Sequence, residues 1–288
     1  MNELREKARE LLQSGTVKVI IGYAQGTTPL HTKPIIIRFA EDSDKLVMNK
    51  YCVNNLSVYL TRKEFKGNGT VGIVAKGCDV KSIVQLIQEN QVNKDDLYII
   101  GVNCNGAVSE LGKEFSAETV ATKCLHCMVR TPHLYHTLIG TQEELPKRAD
   151  TNFEMLQKLE AMTPDEKWNF WEAEFEKCVK CYACRQACPL CYCERCIADK
   201  SVPRWIESSA HTRGNIAWNI IRAFHLSGRC IGCNECERAC PAGIPLSLLN
   251  RKMGMTAKKE FDYVAGMGLD TPTLVGTFDV KDNEDFIK

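Results

Sequence analysis

The chain has 288 residues, of which 16 are cysteines and 25% are charged, and its formal net charge is +1. These proportions exclude intrinsic disorder, and the balanced charge gives no reason to expect a nucleic-acid partner. No apolar run approaches the ~18 residues that a membrane helix needs, so we expect no membrane insertion. The charged start lacks the apolar core of a secretory signal, which indicates a cytoplasmic protein whose thiols are reduced.

The first part of the chain, 1–140, reads as an α/β domain with a partly parallel sheet. Apolar residues at helical spacing predict a helix over 2–14. Short β-branched segments predict strands over 17–22 and 34–39, and a second helix is predicted over 54–64.

A β-α-β unit follows, with strands over 70–75 and 97–102 and with Asp79 as the expected N-cap of the helix between them. Such a unit implies parallel strands joined by a right-handed crossover. Cys78 follows the first strand and Cys104 follows the second. Both are therefore expected at the carboxyl edge of the sheet, where open α/β folds bind ligands, although each also fits an ordinary buried cysteine.

Two glycine patterns near this unit bear on phosphate binding. Residues 67–72 match G-x-G-x-x-G, but they precede a strand instead of following one, so a turn is predicted. Lys76 and Gly77 lie between strand and helix, which makes them candidate contacts for a flavin or phosphate at the helix N-terminus.

The second half divides into three predicted segments. Residues 141–177 read as a surface linker and an aromatic helix that starts at a capping box formed by Thr163 and Glu166. A mainly α-helical ferredoxin-type domain is predicted over 178–256, and a C-terminal tail over 257–288.

Eleven of the 16 cysteines fall within 178–240, and eight of them form two runs with the same C-x2-C-x2-C-x3-C-P spacing. This is the spacing of bacterial [4Fe–4S] ferredoxins, in which the fourth cysteine of each run binds the other cluster. Zinc sites instead tend to show two separated C-x2-C pairs. The predicted ligands are Cys178, Cys181, Cys184 and Cys240 for cluster 1, and Cys188, Cys230, Cys233 and Cys236 for cluster 2.

The other eight cysteines are enough for two further clusters, for which the sequence gives weaker arguments. The sheet-edge cysteines and the next C-x2-C pair make a candidate cluster 3: Cys78, Cys104, Cys124 and Cys127. Elimination alone leaves a candidate cluster 4: Cys52, Cys191, Cys193 and Cys196. A rival for part of the third set is a zinc site formed by Cys124, Cys127, His133 and His136.

Residues 215–227, between the two runs, read as a helix with Gly228 as its C-cap and with His225 as an ordinary helical histidine. The residues predicted near its inner face are Ile216, Ile220, Ala223, Phe224 and Ser227. Several cations lie among the cluster ligands and are expected to offset the clusters' negative charge: Lys180, Arg185, Arg195, Arg229 and Arg238.

Two segments carry a family resemblance. The sequence Gly-Cys-Asp-Val-Lys-Ser-Ile over 77–83, followed by Ile-Ile-Gly-Val-Asn-Cys over 99–104, resembles the core of the beta-subunit family of deazaflavin-reducing hydrogenases and dehydrogenases. The ferredoxin module is similar to that of fused family members. The resemblance implies electron transfer within soluble multi-subunit oxidoreductases, a further [4Fe–4S] cluster and FAD, although the sequence contains no flavin motif.

We therefore predict an iron–sulfur electron-transfer subunit of a soluble multi-subunit oxidoreductase, of the hydrogenase, formate dehydrogenase or heterodisulfide-reductase kind. No complete catalytic motif is present, which favours a non-catalytic subunit. The expected partners are other subunits of the complex, with a soluble ferredoxin as a further candidate. The alternative is a flavin-containing enzyme that oxidises or reduces a nicotinamide or deazaflavin cofactor and passes electrons to its own clusters.

Overall fold

The structure, a computed structural model, describes residues 2–65, 67, 69–146, 151–274 and 276. The chain forms two compact units: Met1–Ala149 with Gly266–Leu269, and Asp150–Ala265 with Asp270–Lys288. In this described portion, no helix has the length and apolar character needed to cross a bilayer.

The first unit is built on a five-stranded sheet in the order β2-β1-β3-β4-β5, with β1 and β2 antiparallel and the other neighbouring pairs parallel. The predicted mixed α/β fold is therefore confirmed. Its elements are α1 (Asn2–Gln13), β1 (Val19–Gln25), β2 (Thr32–Ile37), β3 (Val71–Ala75), α2 (Gly77–Gln88), β4 (Leu97–Val102), α3 (Thr122–Leu125) and β5 (Thr137–Ile139).

Apolar residues on both faces of the sheet hold the first unit together. Helix α1 buries Leu4, Ala8 and Leu11, which share one face at helical spacing, in a core on one side of the sheet. The core on the other side is formed with residues of α2, among them Ile83. Strand β3 is buried along its whole length, as expected for a central parallel strand covered on both faces.

The predicted helix over 54–64 is wrong, because this segment forms only two 3₁₀ turns, Leu56–Tyr59 and Lys63–Phe65. The backbone N–H of Leu56 donates to the Asp79 carboxylate at 2.6 Å, and the N–H of Ser57 donates to the Asn55 side chain at 3.1 Å. Side chains thus satisfy the backbone groups here, and one of them comes from a distant part of the chain.

Asp79 is not the N-cap of α2, since the helix already begins at Gly77, and the N-cap is Lys76. Asp79 is the third helical residue, and its carboxylate accepts the Lys76 backbone N–H at 2.9 Å. The same carboxylate forms a fully buried ion pair with Lys76 Nζ at 2.9 Å. Gly67 and Gly69 of the G-x-G-x-x-G match have positive φ angles ahead of β3, whereas Asn68 lies outside the described residues.

The second unit is helical, and its core is partly aromatic. Phe175 is fully buried and stacks on Trp171 with 5.3 Å between ring centroids. Its helices are α4 (Thr151–Ala161), α5 (Pro164–Glu176), α6 (Ala183–Gln186), α7 (Thr212–His225), α8 (Glu235–Arg238) and α9 (Leu246–Phe261). Helix α5 begins with the predicted capping box of Thr163 and Glu166.

Two predicted segment limits differ from these elements. Helix α9 continues to Phe261, so the first residues of the predicted tail are helical. In the predicted linker, residues 141–146 form no helix or strand, and 147–150 lie outside the described residues. Residues 277–288 of the predicted tail also lie outside them.

Helix α7 forms, but it spans Thr212–His225 and its C-cap is Leu226, so the predicted bounds 215–227 and the predicted C-cap Gly228 are wrong. Its inner face agrees with the prediction at Ala223 and differs elsewhere. Its buried side chains include Asn215, Trp218, Asn219 and Arg222, whereas Phe224 is 63% exposed. The prediction assumed that the helix packs against hydrocarbon, so that its apolar residues face inward. Part of the inner face still meets the apolar core, against which Ile216 and Ile220 pack. The polar part meets backbone carbonyls, to which Asn215 and Arg222 donate hydrogen bonds.

The buried pair of Lys76 and Asp79 predicts a large loss of stability for Asp79→Asn. The substitution keeps the side-chain shape but leaves a buried ammonium unpaired, which costs about 3–5 kcal/mol of unfolding free energy. Asp42→Asn is the matched control, because Asp42 forms an i,i+3 pair with Lys45 that is largely exposed and worth ~1 kcal/mol or less. Chemical denaturation measures both, and equal losses would contradict the prediction.

Candidate metal centres

The two cysteine runs of the second unit repeat one backbone conformation. In the first run Lys180 and Tyr182 have φ angles of 51° and 58°, and in the second run Gly232 and Asn234 have φ angles of 73° and 55°. A four-residue helix, α6 or α8, follows in each run and carries the third cysteine. Alternating left- and right-handed residues turn successive N–H groups towards one point, which is a conformation found at many iron–sulfur sites.

The four predicted ligands of cluster 1 line one cavity: Cys178, Cys181, Cys184 and Cys240. Trp218 and Tyr182 also line this cavity and meet edge to face at 5.0 Å. Burial raises the pKa of the Cys184 thiol, whereas the charge of Arg222 and a hydrogen bond from Trp218 lower it. The first run and the last cysteine of the second run thus meet around one space.

The predicted ligands of cluster 2 also lie together. Burial raises the pKa of the Cys233 thiol, and the charges of Glu235, Cys188 and Cys230 raise it further. The charges of Cys230 and Cys188 likewise raise the pKa of the Cys236 thiol. The fold therefore brings the last cysteine of the first run to the second run, which is the crossing that the spacing predicts.

The sheet edge collects the four cysteines of candidate cluster 3. Cys78 lies in the first turn of α2, Cys104 follows β4, Cys124 lies in α3, and Cys127 follows α3. Burial raises the pKa of Cys104 to about 11, and charges on Cys124 and Cys127 act in the same direction. The charge of Cys104 in turn raises the pKa of the Cys78 thiol.

A close backbone approach holds this edge together. A Cβ atom on Gly77 would lie 1.5 Å from the Val129 carbonyl oxygen, so only glycine fits there. Nearby, the Cys104 N–H donates to the Arg130 carbonyl at 2.9 Å. The segment after Cys127 is thereby fixed against both α2 and the end of β4. Gly77 is explained by this packing, and a phosphate ligand is not needed to account for it.

The Lys76 side chain is likewise occupied by the chain itself. Its ammonium donates to the Tyr23 hydroxyl and, at 2.9 Å, to the Asn54 carbonyl, in addition to its ion pair with Asp79. Burial alone would lower the pKa of Lys76, but the charges of Asp79 and of nearby Cys78 and Cys104 raise it. The predicted flavin or phosphate contact at Lys76 and Gly77 therefore has no support in these contacts.

The four cysteines of candidate cluster 4 have separate surroundings. Cys52 is fully buried in the core of the first unit, where its sulfur accepts the Asn49 N–H at 3.4 Å. Within the second unit, Cys191 hydrogen-bonds to Cys188, Cys196 hydrogen-bonds to Arg185, and Cys193 is exposed. This grouping stays a prediction that rests on elimination.

His136, a ligand of the alternative zinc site, is engaged elsewhere. Its Nδ1 accepts the Ile99 N–H at 2.9 Å, and its ring stacks on Tyr98 at 4.8 Å. Among the residues that can be described, no three His, Cys, Asp or Glu side chains are placed to hold a single metal ion. A cubane differs from such a site, because its four thiolates bind four separate irons.

Most of the cations predicted to offset cluster charge already have protein partners. Arg185 binds Asp199 at 2.9 Å, and Arg238 binds the buried Glu235 at 2.7 Å. The Lys180 ammonium donates to the Glu207 carbonyl. Arg229 donates to the carbonyls of His225 and Leu190.

Sequence reasoning missed Arg222, which is only 4% exposed. Burial alone would lower its pKa, but the charges of Cys188, Cys236, Cys191 and Cys184 raise it. The available signal was the spacing from Trp218 to Arg222, which places both residues on one face of the helix.

Buried polar atoms in the second unit test whether the site fits a cluster. Within the described part of the chain, the Tyr182 hydroxyl and Arg222 Nε have no hydrogen-bond partner. Tyr182 lines the cavity, and Arg222 interacts with cysteines of both sets. Asn250 Nδ2 donates to the Cys236 sulfur at 3.5 Å. Clustered thiols surrounded by donors fit an anionic iron–sulfur cluster, whose sulfur atoms accept such hydrogen bonds.

Comparisons with known proteins agree with this site. The family model for a 4Fe-4S dicluster domain matches residues 177–245. The beta subunit of F420-dependent formate dehydrogenase from Methanocaldococcus jannaschii is 22% identical, over 71% of this chain and 76% of that protein. The beta subunit of F420-dependent formate dehydrogenase 1 from Methanococcus maripaludis is 22% identical, over 92% of this chain and 90% of that protein.

A solved structure also matches, that of the xenon-derivatised F420-reducing [NiFe] hydrogenase complex from Methanosarcina barkeri. The match has 20% identity and a TM-score of 0.30, and it covers 37% of this chain and 42% of that chain. The two formate dehydrogenase subunits and the dicluster domain confirm three predictions: the resemblance to the deazaflavin-reducing beta subunits, the presence of more than one [4Fe–4S] cluster, and a role in iron–sulfur electron transfer.

The crossed ligand sets predict paired effects of cysteine substitution. Cys240→Ser should abolish the same cluster signal as Cys181→Ser, although the two residues are in different runs. Cys188→Ser should likewise abolish the same cluster signal as Cys233→Ser. Each variant should lose about four irons per chain, because a serine oxygen is a poor substitute for the soft thiolate.

Anaerobic iron analysis and electron paramagnetic resonance measure these losses. Exposed Cys193→Ser is the control and should retain all iron. If Cys240→Ser abolished the same cluster signal as Cys233→Ser, all four ligands of a cluster would come from one run, which would contradict the crossed assignment. Iron loss from Cys193→Ser would support the fourth cluster instead.

Proposed function

We propose that this chain is the electron-transfer beta subunit of a multi-subunit oxidoreductase and that it relays single electrons through three [4Fe–4S] clusters. The observation that supports the proposal is that cysteines lie near one another in three places, each of which contains members of one predicted set of four. Two sets lie in the helical unit, and the third lies at the carboxyl edge of the sheet. The clusters supply the one-electron chemistry.

The ligand assignment follows these groups. Cluster 1 is held by Cys178, Cys181, Cys184 and Cys240, cluster 2 by Cys188, Cys230, Cys233 and Cys236, and cluster 3 by Cys78, Cys104, Cys124 and Cys127. Protein donors reach ligand sulfurs in all three sets, from Trp218 to Cys184, from Asn250 to Cys236, and from the Ala107 N–H to Cys124 at 3.3 Å. Such bonds stabilise the more negative reduced state and raise the reduction potential.

The proposed partners are the other subunits of the complex. Both related beta subunits are named as parts of F420-dependent formate dehydrogenases, and one of them aligns over 90% of its own length. We propose that this chain connects a formate-oxidising subunit to a deazaflavin, in the cytoplasm. A soluble ferredoxin is the alternative electron partner.

The relatives' names also favour a second candidate, in which the chain itself is a flavin enzyme that reacts with the deazaflavin. A deazaflavin exchanges hydride, whereas iron–sulfur clusters carry single electrons, so a flavin would have to convert between the two. Extraction of the anaerobically purified complex tests this candidate. About one flavin per chain would favour it, and its absence would favour the pure electron-transfer subunit.

Anaerobic purification from the native host, with metal and sulfide analysis, tests the main proposal. Three clusters require about 12 irons and about 12 sulfides per chain, because each [4Fe–4S] cluster contributes four of each. The co-purifying subunits identify the complex. Iron near zero in active complex would refute the proposal.

Cluster 3 has its own test, which compares a sheet-edge cysteine with a core cysteine. Cys104→Ser should lose about four irons and keep both ferredoxin-type signals, since its ligand set lies in the other unit. Cys52→Ala is the control, because Cys52 is a buried core residue outside the set. The measurement is the iron content per chain after anaerobic purification. Iron loss from Cys52→Ala, with none from Cys104→Ser, would overturn the assignment.

A further inference from the structure

A single buried cation interacts with both ligand sets of the helical unit. Arg222 lies on α7 and is 4% exposed. Its Nη2 donates to the backbone carbonyl of Cys184, a cluster 1 ligand, at 3.0 Å. Its charge interacts most strongly with Cys188 and Cys236, which are both cluster 2 ligands.

The surroundings of Arg222 suit a negatively charged group. A buried guanidinium is unfavourable unless negative charge lies nearby, because it has lost its hydration. Its four strongest favourable electrostatic partners are all cysteines, namely Cys188, Cys236, Cys191 and Cys184. Neutral thiols offer little compensation, whereas thiolates bound to iron offer a full countercharge.

One donor atom of Arg222 is unused. Its Nε is buried and has no hydrogen-bond partner among the residues that the structure describes. A buried donor without an acceptor is costly, so an acceptor is expected when the site is complete. Cluster sulfurs and cysteine sulfurs are acceptors of the required kind.

We propose that Arg222 is a positioning residue shared by the two ferredoxin-type clusters, whose reduction potentials it raises together. The inference rests on the proposed function, because it requires both clusters to be present. Each cluster gains one negative charge when it accepts an electron, and a nearby cation stabilises that state. The guanidinium stays protonated throughout, so an electron leaves one cluster and enters the other without a coupled proton at this residue.

Sharing one cation has a consequence for transfer between the clusters. A charge beside only one cluster would separate the two potentials and make one direction of transfer unfavourable. A charge that acts on both moves the potentials in the same direction. Arg222 therefore raises the reduction potentials of both clusters while limiting the difference between these two potentials.

A redox titration of the anaerobically purified complex, monitored by electron paramagnetic resonance, tests the inference. In Arg222→Gln the midpoint potentials of both cluster signals should fall. Arg213→Gln is the matched control, because Arg213 is an exposed arginine on the same helix, and its midpoints should equal those of the wild type. Iron and sulfide are counted in every sample.

The outcomes separate this inference from the proposed function. Wild-type complex without iron would refute the proposed function, whereas full iron with unchanged midpoints in Arg222→Gln would overturn only the inference. A fall in one midpoint alone, or an equal fall in Arg213→Gln, would also overturn it.

Arg222→Lys decides the case in which Arg222→Gln loses its clusters. Lysine keeps the charge but has neither the planar fork nor Nε. The inference then predicts retained clusters with both midpoints lowered. Unchanged midpoints, or loss of iron from this variant as well, would overturn it and leave Arg222 with a role in folding alone.

Discussion

Negative charge on buried sulfur is the constraint that the two clusters of the helical unit, and the proposed cluster at the sheet edge, impose on the chain. Each [4Fe–4S] cluster brings thiolates and sulfides into an interior where water cannot solvate them, so the protein must supply donors and cations. In the helical unit these are the turned backbone of each cysteine run, the side chains of Trp218 and Asn250, and the charge of Arg222. Residues that look out of place in a hydrophobic core are therefore the ones that such a site requires.

The proposed cluster 3 at the sheet edge imposes the same constraint on different elements. Parallel strands place Cys78 and Cys104 at one edge, and the absence of a side chain at Gly77 lets the segment around Val129 approach. Lys76 supplies a cation close to these sulfurs, and Asp79 holds it there while also organising the turn at Leu56. The ion pair thus links the start of α2, the neighbouring 3₁₀ turn and the cysteine cluster, which explains why so polar a group tolerates full burial.

The success of sequence reasoning depended on how local each signal was. The dicluster domain could be predicted because cysteine spacing within a run reflects one turn of chain, which the sequence encodes directly, whereas the crossed ligand sets stay a prediction. The β-α-β unit was equally accessible, because its apolar spacing and strand lengths are local properties. The segment over 54–64 failed because its backbone N–H groups are satisfied by Asp79, 23 residues beyond Leu56, which no local propensity reveals.

The inner face of α7 shows a second kind of limit. Hydrophobic periodicity identifies the buried face of a helix only when that face meets hydrocarbon. Here the partner surface also presents backbone carbonyls, to which Asn215 and Arg222 donate hydrogen bonds, so these two residues face inward whereas Phe224 is exposed. Counting cations along the sequence also fails to identify those that face a cluster. Arg185 and Arg238 lie among the cysteines, but they form ion pairs with Asp199 and Glu235. A cation influences a cluster according to its burial and its partners. Arg222 is 4% exposed and has cysteines as its electrostatic partners, although it lies in neither cysteine run.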